Sequence, residues 1–193
     1  MKETELYLPV KKLLEEDGYE IRAEVSGADI TAVKGDELLI VEMKISFNLK
    51  LLMQAVKRQR MTDNVYIAIP RPTYKKRFSK DMKDREYLMR RLSLGLIYVI
   101  TETEDPYAVI KFHPKPFNMK ISRGRTSTKT KRLIKEHKGR SGNYNTGGSV
   151  KTKLVTAYRE NSLRIAYELK DKDSMKTKDL REAGCSEKTT TIL

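Results

Sequence analysis

The chain has one cysteine, two histidines and no tryptophan. The lone thiol, Cys185, excludes an intramolecular disulfide framework and fits a reducing compartment, so a cytoplasmic protein is expected. His113 and His137 with a single cysteine are too few for the usual zinc sites. No apolar run approaches the ~20 residues of a transmembrane helix. The opening Met1-Lys2-Glu3-Thr4-Glu5 leads straight into a helical pattern, so neither a signal peptide nor a membrane span is expected. There is no Gly-rich nucleotide loop, no dinucleotide fingerprint and no Ser-His-Asp arrangement. The aromatics, 7% of residues, do not form a run of the kind single-strand binders stack bases on.

Positive charge is abundant. Of the net +14, the stretch from Lys111 to Lys153 supplies +12, with thirteen lysines and arginines against the single acid Glu136. Such a block attracts a polyanion through phosphate neutralisation and counterion release, without reading sequence. Nucleic acid is the expected partner. Arg123, Arg125, Lys129, Lys131 and Arg132 are the candidate backbone contacts within the block.

Acids placed inside apolar strands call for a separate reason. Asp29 lies in Gly-Ala-Asp-Ile-Thr-Ala-Val-Lys, and Glu42 and Lys44 lie in Leu-Leu-Ile-Val-Glu-Met-Lys-Ile-Ser. Gly35-Asp36 between them reads as a two-residue hairpin turn. That turn would set Asp29 opposite Glu42 and Gly27 opposite Lys44, with Gly27 leaving room beside the lysine. Residues i and i+2 share a strand face, so all three charges would meet on one side of the sheet. Two facing carboxylates repel unless a proton or a hard cation such as Mg²⁺ relieves them. The alternative is a structural Glu42–Lys44 pair with Asp29 as an acid near the turn, and a one-residue slip of register would favour it.

An acid on one strand followed by Glu-x-Lys on the next resembles the PD-(D/E)xK, or restriction-endonuclease-like, superfamily of phosphodiesterases. The phrases ETELYLPVKKLLEEDGYE, VEMKISFNLKLLMQAVKRQRMTDNVYIAIPRP and GGSVKTKLVTAYRENSLR are similar to a bacterial branch of that superfamily. Ala28, where the motif's proline would stand, is a departure. The resemblance implies metal-dependent hydrolysis of nucleic acid, with DNA favoured and Mg²⁺ or Mn²⁺ as cofactor. Asp29, Glu42 and Lys44 would be catalytic, and Asp29, Glu42, the Met43 carbonyl and Glu5 would hold metal. Glu5 also reads as a first-turn acid favoured by the helix dipole. Gln54 matches a glutamine that related enzymes carry near the site, and Lys57 and Arg58 on the same helix are placed to meet phosphates. The resemblance admits a homodimer. A DNA-binding regulator on a catalytically weak nuclease-like scaffold is the rival reading.

The expected fold class is α/β: a restriction-endonuclease-like αβββαβ core, its mixed sheet flanked by helices, with a small helical C-terminal module. The core is expected over 1–113, a basic Gly-rich linker or extension over 114–152, and a helix-turn-helix-like module over 153–193. In detail, helices are expected over 4–17, 48–61, 76–92, 129–138, 153–169 and 178–183. Strands are expected over 20–26, 29–34, 37–43, 65–70, 95–101 and 107–112. Ser186 would cap a last helix cut off at Leu193.

Overall fold

The computed structural model describes residues 2–185. They divide into two units, Met1–Asn118 and Met119–Leu193. The first is a six-stranded sheet in chain order, from β1 (Glu20–Val25), β2 (Ala28–Lys34) and β3 (Glu37–Met43) to β4 (Val65–Pro70), β5 (Gly95–Ile100) and β6 (Tyr107–Phe112). β1, β2 and β3 form an antiparallel meander, β3, β4 and β5 run parallel, and β6 returns antiparallel at the edge. The mixed sheet and its six strands agree with the sequence. Lys34 pairs with Glu37 and Ile30 with Val41, so Gly35 and Asp36 are the hairpin turn in the expected register. Gly35 takes φ +59° in the first turn position, where glycine is favoured.

Central strands without strict alternation need both faces covered. Helix α1 (Thr4–Glu16) covers one face, with Leu6, Val10 and Leu14 packed on Ile30, Ala32, Val41 and Met43. Pro9 is retained inside α1 and buried. The helix stops where Gly18 takes φ +85° and the Tyr19 amide donates to the Leu14 carbonyl at 3.0 Å. Helix α2 (Leu49–Arg58) covers the other face, capped by the Asn48 side chain, which accepts from the Leu51 amide at 2.9 Å. Its Leu51, Leu52 and Ala55 pack on Val65, Ile67 and Leu96, joined by Met82 and Met89.

The basic helix expected over 76–92 is two helices, α3 (Tyr74–Arg77) and α4 (Lys80–Arg91). Ser79 breaks it: its backbone is extended and its hydroxyl caps the Met82 amide at 3.2 Å.

In the second unit, α5 (Met119–Arg125) and α6 (Ser127–Lys138) carry the basic block, followed by α7 (Ala157–Leu169) and α8 (Thr177–Glu182). The segment expected as a linker or extension holds the helix expected over 129–138, which starts at Ser127, and also α5, which was not expected. α7 begins at Ala157 rather than Lys153, because Thr156 caps the Arg159 amide at 3.2 Å. Lys176 is the N-cap residue of α8. Ile165, Leu180 and Cys185 form a small core. The Glu136 carboxylate accepts from the Ala157 amide at 2.9 Å, and Glu160 accepts from the Ser141 amide at 3.1 Å, tying α6 and its following turn to α7. The final helix expected from Ser186 lies outside the described residues.

Candidate active site at the carboxyl end of the sheet

Three parallel strands end on the same side, at Met43, Pro70 and Ile100. β2 runs the other way, so Asp29 enters the sheet at that same end. Here Asp29 Oδ2 accepts from the Met43 amide at 2.6 Å. The neighbouring Lys44 amide turns instead to the Ala68 carbonyl of β4 at 3.1 Å. The carboxylate thus takes over the role of a ladder acceptor where β2 and β3 part, and Asp29 is held one residue from Glu42.

Glu42 is fully buried, 0% exposed. Arg58 Nε donates to Glu42 Oε1 at 2.5 Å, and the same guanidinium donates to the carbonyls of Ser26 and Gly27. Glu42 Oε2 has no hydrogen-bond partner. Burial raises the Glu42 pKa above the ordinary 4.5, and the Asp29 charge adds to this. The hydrogen bond from Arg58, its charge and that of Lys44 pull the other way.

Lys44 Nζ contacts Glu3 Oε2 at 2.8 Å. The hydrogen bond that Lys44 donates to Glu3 raises the Lys44 pKa above 10.5, against a smaller desolvation, and the charges of Asp29 and Glu42 add to the rise. Lys44 is therefore a cation at neutral pH, held at the mouth of the acid pair.

The structure brings Asp29, Glu42 and Lys44 to one end of the sheet and separates other expected residues from them. Glu5 is exposed, and its carboxylate accepts from the Lys2 amide at 3.0 Å. Glu3, the N-cap residue of α1 and no site candidate from the sequence, is the acid that reaches the lysine. Arg58 corrects the expectation of a phosphate contact, since it is buried against Glu42 rather than presented to solvent. The room beside Gly27 belongs to Arg58 and not to Lys44: a Cβ there would stand 3.8 Å from Arg58 Nη2. The sequence did carry a signal for this. Leu51, Ala55 and Arg58 recur at helical spacing along one stripe, which places Arg58 on the buried face of α2. Gln54, one turn before Arg58, is half-buried with an unpartnered Oε1, whereas Lys57 is exposed. Arg123, Arg125, Lys129, Lys131 and Arg132 are exposed on α5 and α6 of the second unit.

Among the described residues no group of three or more His, Cys, Asp or Glu stands close enough to hold a metal. Mg²⁺ needs less from a protein, commonly one or two carboxylates with water and substrate phosphate completing its shell. The orphaned Glu42 Oε2 and the Asp29 carboxylate, whose charge acts on Glu42, are hard-oxygen donors of the kind that suit such an ion.

Comparison with known proteins gives a family match. The family described as "Putative PD-(D/E)XK phosphodiesterase (DUF2161)" matches residues 97–193, half of the chain. The matched segment runs from within β5 through the second unit, so Asp29, Glu42 and Lys44 lie ahead of it. No curated protein and no solved structure matches the chain. Among the described residues no helix is long and apolar enough to cross a membrane.

Proposed function

The chain belongs to this PD-(D/E)XK phosphodiesterase family, and from that premise we propose that it hydrolyses phosphodiester bonds of nucleic acid, DNA foremost, with Mg²⁺ or Mn²⁺. The observation that carries the reading is the pairing of Asp29, oriented by the Met43 amide, with a buried Glu42 whose Oε2 lacks a partner. A divalent ion held by Asp29 and Glu42 would offset the repulsion between the two carboxylates and would lower the pKa of an attacking water.

The chain's own residues do the rest. Asp29 and Glu42 present oxygen donors at the sheet end, with Glu42 oriented by Arg58 so that Oε2 stays free. Lys44, kept charged by Glu3, faces the developing charge on the phosphate once substrate displaces the exposed Glu3. The exposed cations of α5 and α6 supply affinity for the polyanion without sequence preference.

A second reading has its own support. Arg58 already holds Glu42 Oε1, and no three-ligand cluster stands among the described residues. Both suit a nucleic-acid-binding protein on a scaffold with little hydrolysis. Incubating end-labelled DNA and RNA with the protein in Mg²⁺, in Mn²⁺ and in EDTA separates the two. Hydrolysis predicts cleavage that EDTA abolishes and that Lys44→Met reduces with binding intact. Binding without metal-dependent cleavage in either ion supports the second reading.

A further inference from the structure

The segment after β4, Pro70-Arg71-Pro72-Thr73-Tyr74-Lys75-Lys76-Arg77-Phe78, lies at the same carboxyl end of the sheet as the acid pair. A cavity of about 250 Å³ opens there, lined by Arg71, Thr73, Tyr74, Arg77 and, as its one acid, Glu102. That is below the range of pockets that enclose a whole drug-sized ligand, and suits a group the size of phosphate.

Two observations point to what the segment holds. Arg77 Nε is buried and has no hydrogen-bond partner, a donor left without an acceptor. Above it, Tyr74 and Phe78 are 74% and 61% exposed, large rings in water one helical turn apart. They meet edge to face at 5.7 Å, and the Arg77 guanidinium lies 5.5 and 5.6 Å from their centroids. The core does not use these rings. An arginine flanked by exposed aromatics, with Lys75 and Lys76 beside it, combines backbone neutralisation with a stacking platform. The sequence showed no such platform, because only the short α3 turn brings Tyr74 and Phe78 together.

Resting on the phosphodiesterase reading, we propose that this segment is a subsite for single-stranded nucleic acid, in which Tyr74 and Phe78 stack an unpaired base and Arg71 and Arg77 hold its phosphate. Adjacent strands lie about 4.8 Å apart, so the ends of β4 and β5 stand roughly 5–10 Å from that of β3. A strand seated on the platform therefore presents a neighbouring linkage to Asp29, Glu42 and Lys44. The substrate class that follows is a single strand or a frayed end, in preference to an intact duplex.

Fluorescence anisotropy in EDTA tests binding apart from cleavage. The probes are an oligothymidylate, a strand of equal length made of abasic units, a blunt duplex and the matching oligouridylate. Tyr74→Ala/Phe78→Ala changes only exposed rings and is expected to fold, as circular dichroism will verify. It should weaken oligothymidylate binding about tenfold or more, with the abasic strand and duplex within about twofold. Arg77→Gln should weaken the oligothymidylate and abasic strands alike. A parallel loss on oligouridylate extends the subsite to RNA, and a loss on oligothymidylate alone restricts it to DNA. The proposal is overturned if the double variant binds oligothymidylate as wild type does, or loses duplex affinity equally. Adding Mg²⁺ afterwards scores hydrolysis separately. A wild type that binds through the rings but cuts nothing removes the hydrolytic reading alone, and one that cuts regardless of the rings removes the subsite alone.

Discussion

Arg58 and Glu42 form a buried ion pair across the sheet face, Nε to Oε1 at 2.5 Å, with the guanidinium also gripping the turn at Ser26 and Gly27 that leads into Asp29. One residue thus orients both acids of the candidate site, Glu42 directly and Asp29 through its preceding turn.

Removing Arg58 leaves a buried carboxylate without its donor. Arg58→Met should destabilise the first unit by about 3–5 kcal/mol at neutral pH, read by urea denaturation. The loss should shrink on acidification. Glu42 has its folded pKa raised, so the folded state favours the protonated form, and the stability linked to that proton is present at low pH and lost as pH rises. An Arg58→Met protein whose deficit is independent of pH contradicts the pairing.

Asp29 serves both structure and chemistry, and two substitutions separate the roles. Asp29→Ala leaves the Met43 amide without its acceptor and should cost about 1–3 kcal/mol of stability. Asp29→Asn keeps an oxygen for that amide and should stay within about 1 kcal/mol of wild type. Both should abolish metal-dependent turnover, because both remove the charge.

Lys44 and Glu3 should behave unequally. Their contact is partly exposed, so Glu3→Ala should change stability by less than about 1 kcal/mol. Lys44→Met should reduce turnover by about 10²–10³ while leaving DNA affinity nearly unchanged, the loss expected when one group stabilising transition-state charge is removed. Equal losses of turnover and affinity would assign Lys44 to binding alone.

The second unit should open in acid. The Ala157 amide, then Arg140, hold the Glu136 pKa below 4.5, and the Ser141 hydrogen bonds do the same for Glu160. A depressed carboxylate stabilises above its unfolded pKa, and that stability is lost as pH falls through the folded value. Amide exchange at Ala157 and Ser141 should therefore accelerate as pH drops below 4.5, after correction for intrinsic rates. Glu136→Gln should remove the effect at Ala157.

Much of the first unit was legible because local rules and tertiary demands agree there. β3, β4 and β6 run over their expected residues, and the Gly35-Asp36 turn sets the register that brings Asp29 beside Glu42. The misreadings arose where a single polar contact outweighed periodicity. Ser79 capping split one helix into two, and Thr156 capping shortened another. At Arg58 charge suggests the surface, but helical phase decides: its position on the Leu51–Ala55 stripe turns it inward. Glu3 rather than Glu5 meets Lys44 because the first turn of α1 points Glu5 back to the Lys2 amide. Within the basic block α6 lies close to the helix expected over 129–138, whereas α5 is not announced by the sequence, since none of its residues is buried and no apolar stripe marks it.

The proposed hydrolysis requires Asp29 and Glu42 to bind a divalent ion. Calorimetric titration of Mg²⁺ and Mn²⁺ into wild type and Asp29→Asn, followed by incubation of each with labelled single-stranded and duplex DNA, tests it most directly. Wild type should show saturable binding and cleavage, both lost in Asp29→Asn with the fold intact. Wild type that binds neither ion and cuts neither substrate would contradict it, and Glu42 would then stand as the structural partner of Arg58.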